Sequence, residues 1–238
     1  MALDFNSYVA QIANIMAVSS QTPQFQTMLP GMITYAEQRI YRELDLLDTI
    51  RRNADFSILQ GNRNFTLPVN QPGDLKFITV MQISAFAPPG SSPETGSRVP
   101  MQPVSREFLD AVYGSGNVTT GTPAYFAMTD QDTIIVGPYP DGNYRLEITG
   151  TVRPVPLSAN NTTTFLTEFL PDLFVAASMI FASGYQRDFG AQADNPQQAA
   201  SWEQIYGQLF ASAGAEELRK KFYGPGWTTY SNTKPADR

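Results

Sequence analysis

Carboxylates and serines are the residues of this chain whose types could act on a bound molecule. Asp130 and Asp132 stand two residues apart, where paired carboxylates can share acid–base work or hold calcium. They fall between two strand-like runs, AYFAM and TIIVG, and aspartate there is ordinary turn chemistry, which is the preferred reading. Asp45, Asp48 and Asp55 straddle a helix-to-strand change and read as solvated. Ser178 and Ser183 lie on a helix without a base, and a serine nucleophile needs a positioned one. The 238 residues contain no cysteine and no histidine, which removes disulfides, the usual zinc ligand sets, thiol nucleophiles and every Ser-His or Cys-His pair. No GxxxxGK[ST] or GxGxxG phosphate loop occurs. The expectation is a protein that is not an enzyme, with no catalytic residues, no cofactor and no metal.

The net charge of −6 argues against a broad basic patch for gripping nucleic acid. The chain start, Met-Ala-Leu-Asp-Phe, lacks the basic and apolar regions of a secretory signal, so none is expected. The most apolar segment, VAASMIFA, is shorter than the roughly 18 residues a membrane span needs, and no membrane partner is expected.

The elements that would position these residues follow from periodicity. Thr164 to Asp188 reads as the central helix of a bundle, with Leu173, Ala176, Ala177, Ile180 and Gly184 on one face and Pro171 in its first turn. Gly184 costs about 1 kcal/mol against alanine in a helix, which suggests that a neighbouring backbone comes close. A first helix is expected from a cap at Asp4 or Asn6 to about Ser19, with Phe5, Tyr8, Val9, Ile12, Ile15 and Met16 as its stripe. Thr22-Pro23 begins a short segment, and Pro30 is expected to restart the chain into a second helix reaching about Leu44. That helix buries Ile33, Ala36, Ile40 and Leu44, while Glu37, Arg39, Arg42 and Glu43 are expected to face elsewhere, with Arg39 and Glu43 paired one turn apart. In a monomer those charges are a solvated face; in a ring they are candidates for contacts between subunits. A last helix begins with Asn195 and Pro196, carries Trp202, Ile205, Tyr206, Leu209 and Ala213 as its stripe, and can pair Glu216 and Glu217 with Lys220 and Lys221.

Between these helices the period changes to two. DLKFITVMQISAF is a strand expected to put Leu75, Phe77, Met81 and Ile83 on one face. RVPMQPVS, broken by Pro100 and Pro103, is expected at an edge, and Ser105 to cap a short helix. Pro140-Asp141-Gly142 reads as a turn in which proline presets φ and glycine accepts a positive φ. NYRLEITGTVRP then alternates, with Tyr144, Leu146, Ile148 and Val152 inward and Arg145, Glu147, Thr149, Thr151 and Arg153 outward. The expected fold is α+β: a helical bundle formed by N- and C-terminal helices, with an inserted antiparallel, sandwich-like β module. Its parts are 1–46 and 158–222 for the two halves of the bundle, 47–157 for the β module and 223–238 for an extended tail.

The phrases YAEQRIYRELDLLDTIRR, LPVNQPGDLKFITV, PAYFAMTDQDTIIVGPYPDGNYRLEITGTVRPVPLS and TEFLPDLFVAASMIFASGYQRD, in that order, resemble the head-to-tail adaptor (connector) proteins of tailed bacteriophages. The nearest are those of short-tailed phages, the tail tubular protein A type. The resemblance runs from about residue 4 to 222. Its most specific parts are Ala36–Leu44, the P-x-P-D-G phrase at Pro138–Gly142 and the LPDL helix start at Leu170–Leu173. It implies a structural virion protein, made in the host cytoplasm and placed in the neck, forming a ring of twelve copies. One side of the ring would meet the portal protein and the other the tail nozzle or a tail tubular protein. Genomic DNA would pass through the lumen without sequence-specific binding, which an acidic wall favours because it repels phosphates. The family uses C-terminal extensions against the portal, and Tyr223, Trp227 and Tyr230 are the candidate docking residues of this tail.

A rival from another class is a tail-fibre or capsid-decoration module that binds through its β part. It would require exposed aromatics in the 88–97 or 119–126 loops. The first has none, and Tyr125 and Phe126 begin a strand.

Overall fold

The computed structural model describes residues 2–67, 76–114, 119–188 and 197–222. The fold is α+β. Its helices are α1 (Phe5–Ile15), α2 (Pro23–Glu43), α3 (Arg106–Val112), α4 (Phe165–Phe169), α5 (Pro171–Asp188) and α6 (Gln197–Phe222). Its strands are β1 (Ile50–Ile58), β2 (Asn64–Thr66), β3 (Phe77–Ala87), β4 (Ser97–Pro103), β5 (Thr120–Gly121), β6 (Tyr125–Met128), β7 (Thr133–Gly137), β8 (Tyr139–Pro140) and β9 (Tyr144–Val152). The chain divides into a helical unit, Met1–Leu47 with Val155–Arg238, and a β unit, Asp48–Pro154.

In the helical unit Asp4 caps α1: its carboxylate accepts from the Ser7 N–H at 2.7 Å, and Ser7 Oγ accepts from the Asp4 N–H at 2.8 Å. Tyr8, Ile12, Ala13 and Met16 are buried, whereas Ile15 is exposed. Pro30 does not restart the chain, and α2 runs through it. Pro30 and Gln26, whose carbonyl loses its N–H partner, both lie on the exposed face, and Phe25, Met28, Leu29, Met32 and Ile33 bury on either side. The freed carbonyl lies on the exposed face while tertiary burial holds the helix.

α5 packs against α1, α2, α4 and α6. Residues 173–179 are buried without interruption, so α5 has no single face of the kind the spacing predicts. Gly184 is also a correction. It is exposed, and among the described residues nothing lies within 4 Å of a Cβ placed there. On α6, Tyr206 and Ala213 are buried, but Ile205 is exposed. The expected cap Asn195 and first-turn Pro196 lie outside the described residues.

The β unit holds a curled seven-stranded sheet ordered β1-β9-β3-β4-β6-β7-β2. The two ends of that order come together across the core, where the rings of Phe56 on β1 and Phe65 on β2 are 5.7 Å apart. The sheet is mixed rather than antiparallel, because β4 and β6 run parallel. β4 is an interior strand despite its two prolines. The N–H groups of Gln102 and Val104 donate to Ala124 and Phe126 on the β6 side. By alternation Pro100 points its nitrogen to that side before β6 begins, and Pro103 points to the β3 side after that pairing has ended at Met101.

Two bulges in β3 also overturn its expected face. Register shifts between Phe77 and Thr79, and between Val80 and Gln82, keep Phe77 and Ile83 inward but leave Met81 57% exposed. Leu75 lies outside the described residues. On the outer face of β9, Glu147 is only 5% exposed, where alternation predicts a solvated side chain. It is held by Arg98 at 2.9 Å and Arg52 at 3.0 Å, so two guanidiniums replace the water it gives up. Gly142 does not adopt a positive φ. Its need is space: a Cβ there would lie 2.5 Å from the Pro89 Cβ.

Candidate functional site

Of the charges singled out on α2, three are engaged with other segments of the helical unit. The Arg39 guanidinium forms a bidentate pair with Glu203 of α6, one arm at 2.9 Å, and a 3.2 Å contact with Glu43. It also lies 4.2 Å above the Tyr206 ring, whose hydroxyl donates to Glu43 at 2.6 Å. Burial and the Glu43 carboxylate together raise the Tyr206 pKa. This network joins α2 to α6 through groups that are cationic, anionic and aromatic in turn. Arg42 is exposed and donates to Gln38 one turn back at 2.7 Å.

Glu37 is the correction. It does not face outward but is 5% exposed, and it accepts the Leu157 N–H at 2.8 Å. Its signal was in the spacing, four residues after Ile33 and three before Ile40, on the apolar stripe itself. Burial pushes its carboxyl up to about 7, against the opposing pull of the Leu157 N–H. Close to it, burial also raises the Tyr8 pKa; that hydroxyl bonds Ser178 Oγ at 2.8 Å, and Ser178 donates to the Phe174 carbonyl.

Glu217 on α6 has the matching role. It is 4% exposed, accepts the Leu47 N–H at 3.0 Å and pairs with Lys220 at 2.8 Å. The chain leaves the helical unit after Leu47 and returns to it at Val155. Each of those passages is therefore anchored within the helical unit by one buried glutamate accepting a backbone N–H. Lys221, expected to pair with Glu217, bonds the carbonyl and carboxylate of Asp45 instead. Glu217→Ala leaves the Leu47 N–H without its acceptor. Urea unfolding is expected to show a loss of about 2 kcal/mol, together with faster hydrogen exchange at the Leu47 amide. An unchanged midpoint and unchanged protection would contradict this anchoring role.

The other acidic candidates, Asp55 apart, have structural partners. Asp130 Oδ1 accepts the N–H groups of Asp132 and Thr133 at 2.9 and 2.7 Å, which holds its pKa below the usual range. Asp132 pairs with Lys76 at 3.0 Å. Asp48 pairs with Arg51, and Asp55 is exposed. Ser183 donates to the Ile180 carbonyl. Among the described residues no group of three or more acidic side chains could hold a metal, and no helix is long and apolar enough to cross a membrane. Tyr223, Trp227 and Tyr230 lie outside the described residues.

The P-x-P-D-G phrase fixes one end of the β unit. The Gly61 N–H donates to the Pro140 carbonyl at 2.9 Å, and Gln60 and Gly90 donate to the side chain and carbonyl of Asn143 at 2.9 and 2.8 Å. Tyr144 donates its hydroxyl to Asp141 at 2.6 Å. Two loops are thus tied to one turn through their backbone N–H groups, which suits a rigid surface more than a reaction centre. A family model described as SU10 adaptor protein matches residues 4–227 of the chain. No curated protein matches it.

Proposed function

Because the chain belongs to the SU10 adaptor protein family, we propose that it is a structural virion protein, a head-to-tail adaptor of a tailed bacteriophage of the short-tailed type. It sits in the neck between the portal protein and the tail nozzle or tube. Its copies form a ring, of twelve as in the adaptors it resembles, and genomic DNA passes through the lumen without sequence-specific contacts. The observation that supports this reading most is the extent of the family match, which takes in nearly all of both units.

The anchoring glutamates, the Arg39–Glu203 pair and the tied loops suit a part that transmits contacts. Arg42, exposed on α2, is the member of the charged set best able to reach a neighbouring subunit. The −6 charge is consistent with an acidic lumen along which DNA slides. The 223–238 tail, through Trp227, Tyr230 and Tyr223, docks on the portal.

The test is co-elution with the portal protein from the same genome. The full chain is expected to bind, and the chain cut after Phe222 is expected to fold but not bind. Binding by the truncated chain would overturn the docking role of the tail. Failure of the full chain to bind would overturn the adaptor reading.

A further inference from the structure

Between α3, β2 and the β6–β7 turn, the β unit contains a pocket of about 450 Å³. Two guanidiniums, Arg63 and Arg106, line it, and Asp110 is the single carboxylate there. Arg63 is fixed in place. Its Nε donates to the Val136 carbonyl at 3.3 Å, its Nη1 meets Asp110 at 3.0 Å, and its Nη2 is buried without an acceptor. Arg106 reaches Asp110 only at 3.5 Å, longer than the roughly 2.7–2.9 Å of a charge-assisted hydrogen bond. Thr66, Thr129 and Thr133 add hydroxyls, and Ile135 an apolar wall.

We propose that this pocket binds a single carboxylate-bearing organic group. The wall carries two positive charges against one negative, so it has an excess of donors and one uncompensated charge. A monoanion neutralises that charge. A phosphate dianion would bring a second negative charge against Asp110. The space is larger than a bare ion needs, and Ile135 offers a surface to methylene groups, as an organic acid would require. Arg106, 58% exposed, is free to close on the incoming carboxylate. The proposal does not rest on the adaptor reading.

The test titrates the full chain with pentanoate, a monocarboxylate with a methylene chain, and, separately, with inorganic phosphate, following the backbone amides of Thr66, Thr129 and Thr133 by NMR. Saturable shifts with pentanoate are expected, with phosphate weaker. Arg106→Gln should weaken pentanoate binding about tenfold, the scale of one hydrogen bond to a charged group. Asp110→Asn should tighten it, because the resident competitor is gone. Arg106 is exposed and makes one long ion pair, so its variant keeps the fold. Absence of saturable shifts, an unchanged affinity in Arg106→Gln, or phosphate binding as tightly as pentanoate would each overturn the assignment.

Discussion

Gly150→Ala is expected to destabilise the β unit by about 3 kcal/mol, where the same change in an ordinary strand would gain about 0.5–1 kcal/mol. Gly150 lies on β9, paired with Arg51 of β1 on one side and Val80 of β3 on the other. A Cβ there would fall 2.2 Å from the Thr79 carbonyl oxygen and 2.9 Å from the Phe77 ring. The nearest obstacle is backbone, so no rotamer change relieves it. β3 would have to move, and it is bulged on both sides of this point and carries core residues Phe77 and Ile83. Urea unfolding followed by circular dichroism measures the effect. Gly184→Ala supplies the opposite sign, a gain of about 1 kcal/mol, since its Cβ meets nothing and the site is helical. A Gly150→Ala protein as stable as the parent would mean that β3 and β9 do not approach so closely.

Glu37→Gln is expected to stabilise by under about 1 kcal/mol at pH 5 and by about 3 kcal/mol at pH 8. The folded-state pKa of Glu37 is about 7, above its ordinary value of 4.5. The folded protein therefore holds a proton that the unfolded chain has released between those two values. The stability tied to that proton is fully present below about 4.5 and is lost as pH rises through about 7. The interval between the two values corresponds to roughly 3 kcal/mol. Glutamine keeps an oxygen for the Leu157 N–H and never ionises, so it escapes the loss. The difference in unfolding free energy between the two proteins, measured from pH 5 to pH 8, should grow steadily. A flat difference would show that Glu37 is not held in a desolvated site.

These two positions also mark how far the sequence is legible. The alternation of β9, the capping pairs at Asp4 and Ser105 and the turn role of Asp130 come directly from local rules of spacing and side-chain chemistry. Glu37, Glu147 and Glu217 do not, because a charge reads as solvated until its partners are known. Those partners are distant in sequence: the Leu157 N–H, Arg52 with Arg98, and the Leu47 N–H. Glycine misleads in both directions. Gly142 looks like a φ requirement and is a packing one; Gly184 looks like a packing requirement and meets no neighbour among the described residues. Pro30 and Pro100 look like breaks, yet Pro30 frees a carbonyl only on the exposed face of α2, and Pro100 points its nitrogen to the β6 side before β6 begins. The Arg63 pocket has no local motif at all, since α3, β2 and the β6–β7 turn meet only in the folded unit.

Electron microscopy of the full chain mixed with the portal protein of the same genome tests the adaptor account most directly. The account predicts closed rings of this chain stacked coaxially on the portal, with the channel continuous through both. Portal particles that stay bare in the presence of excess chain, or chain bound away from the channel axis, would contradict it.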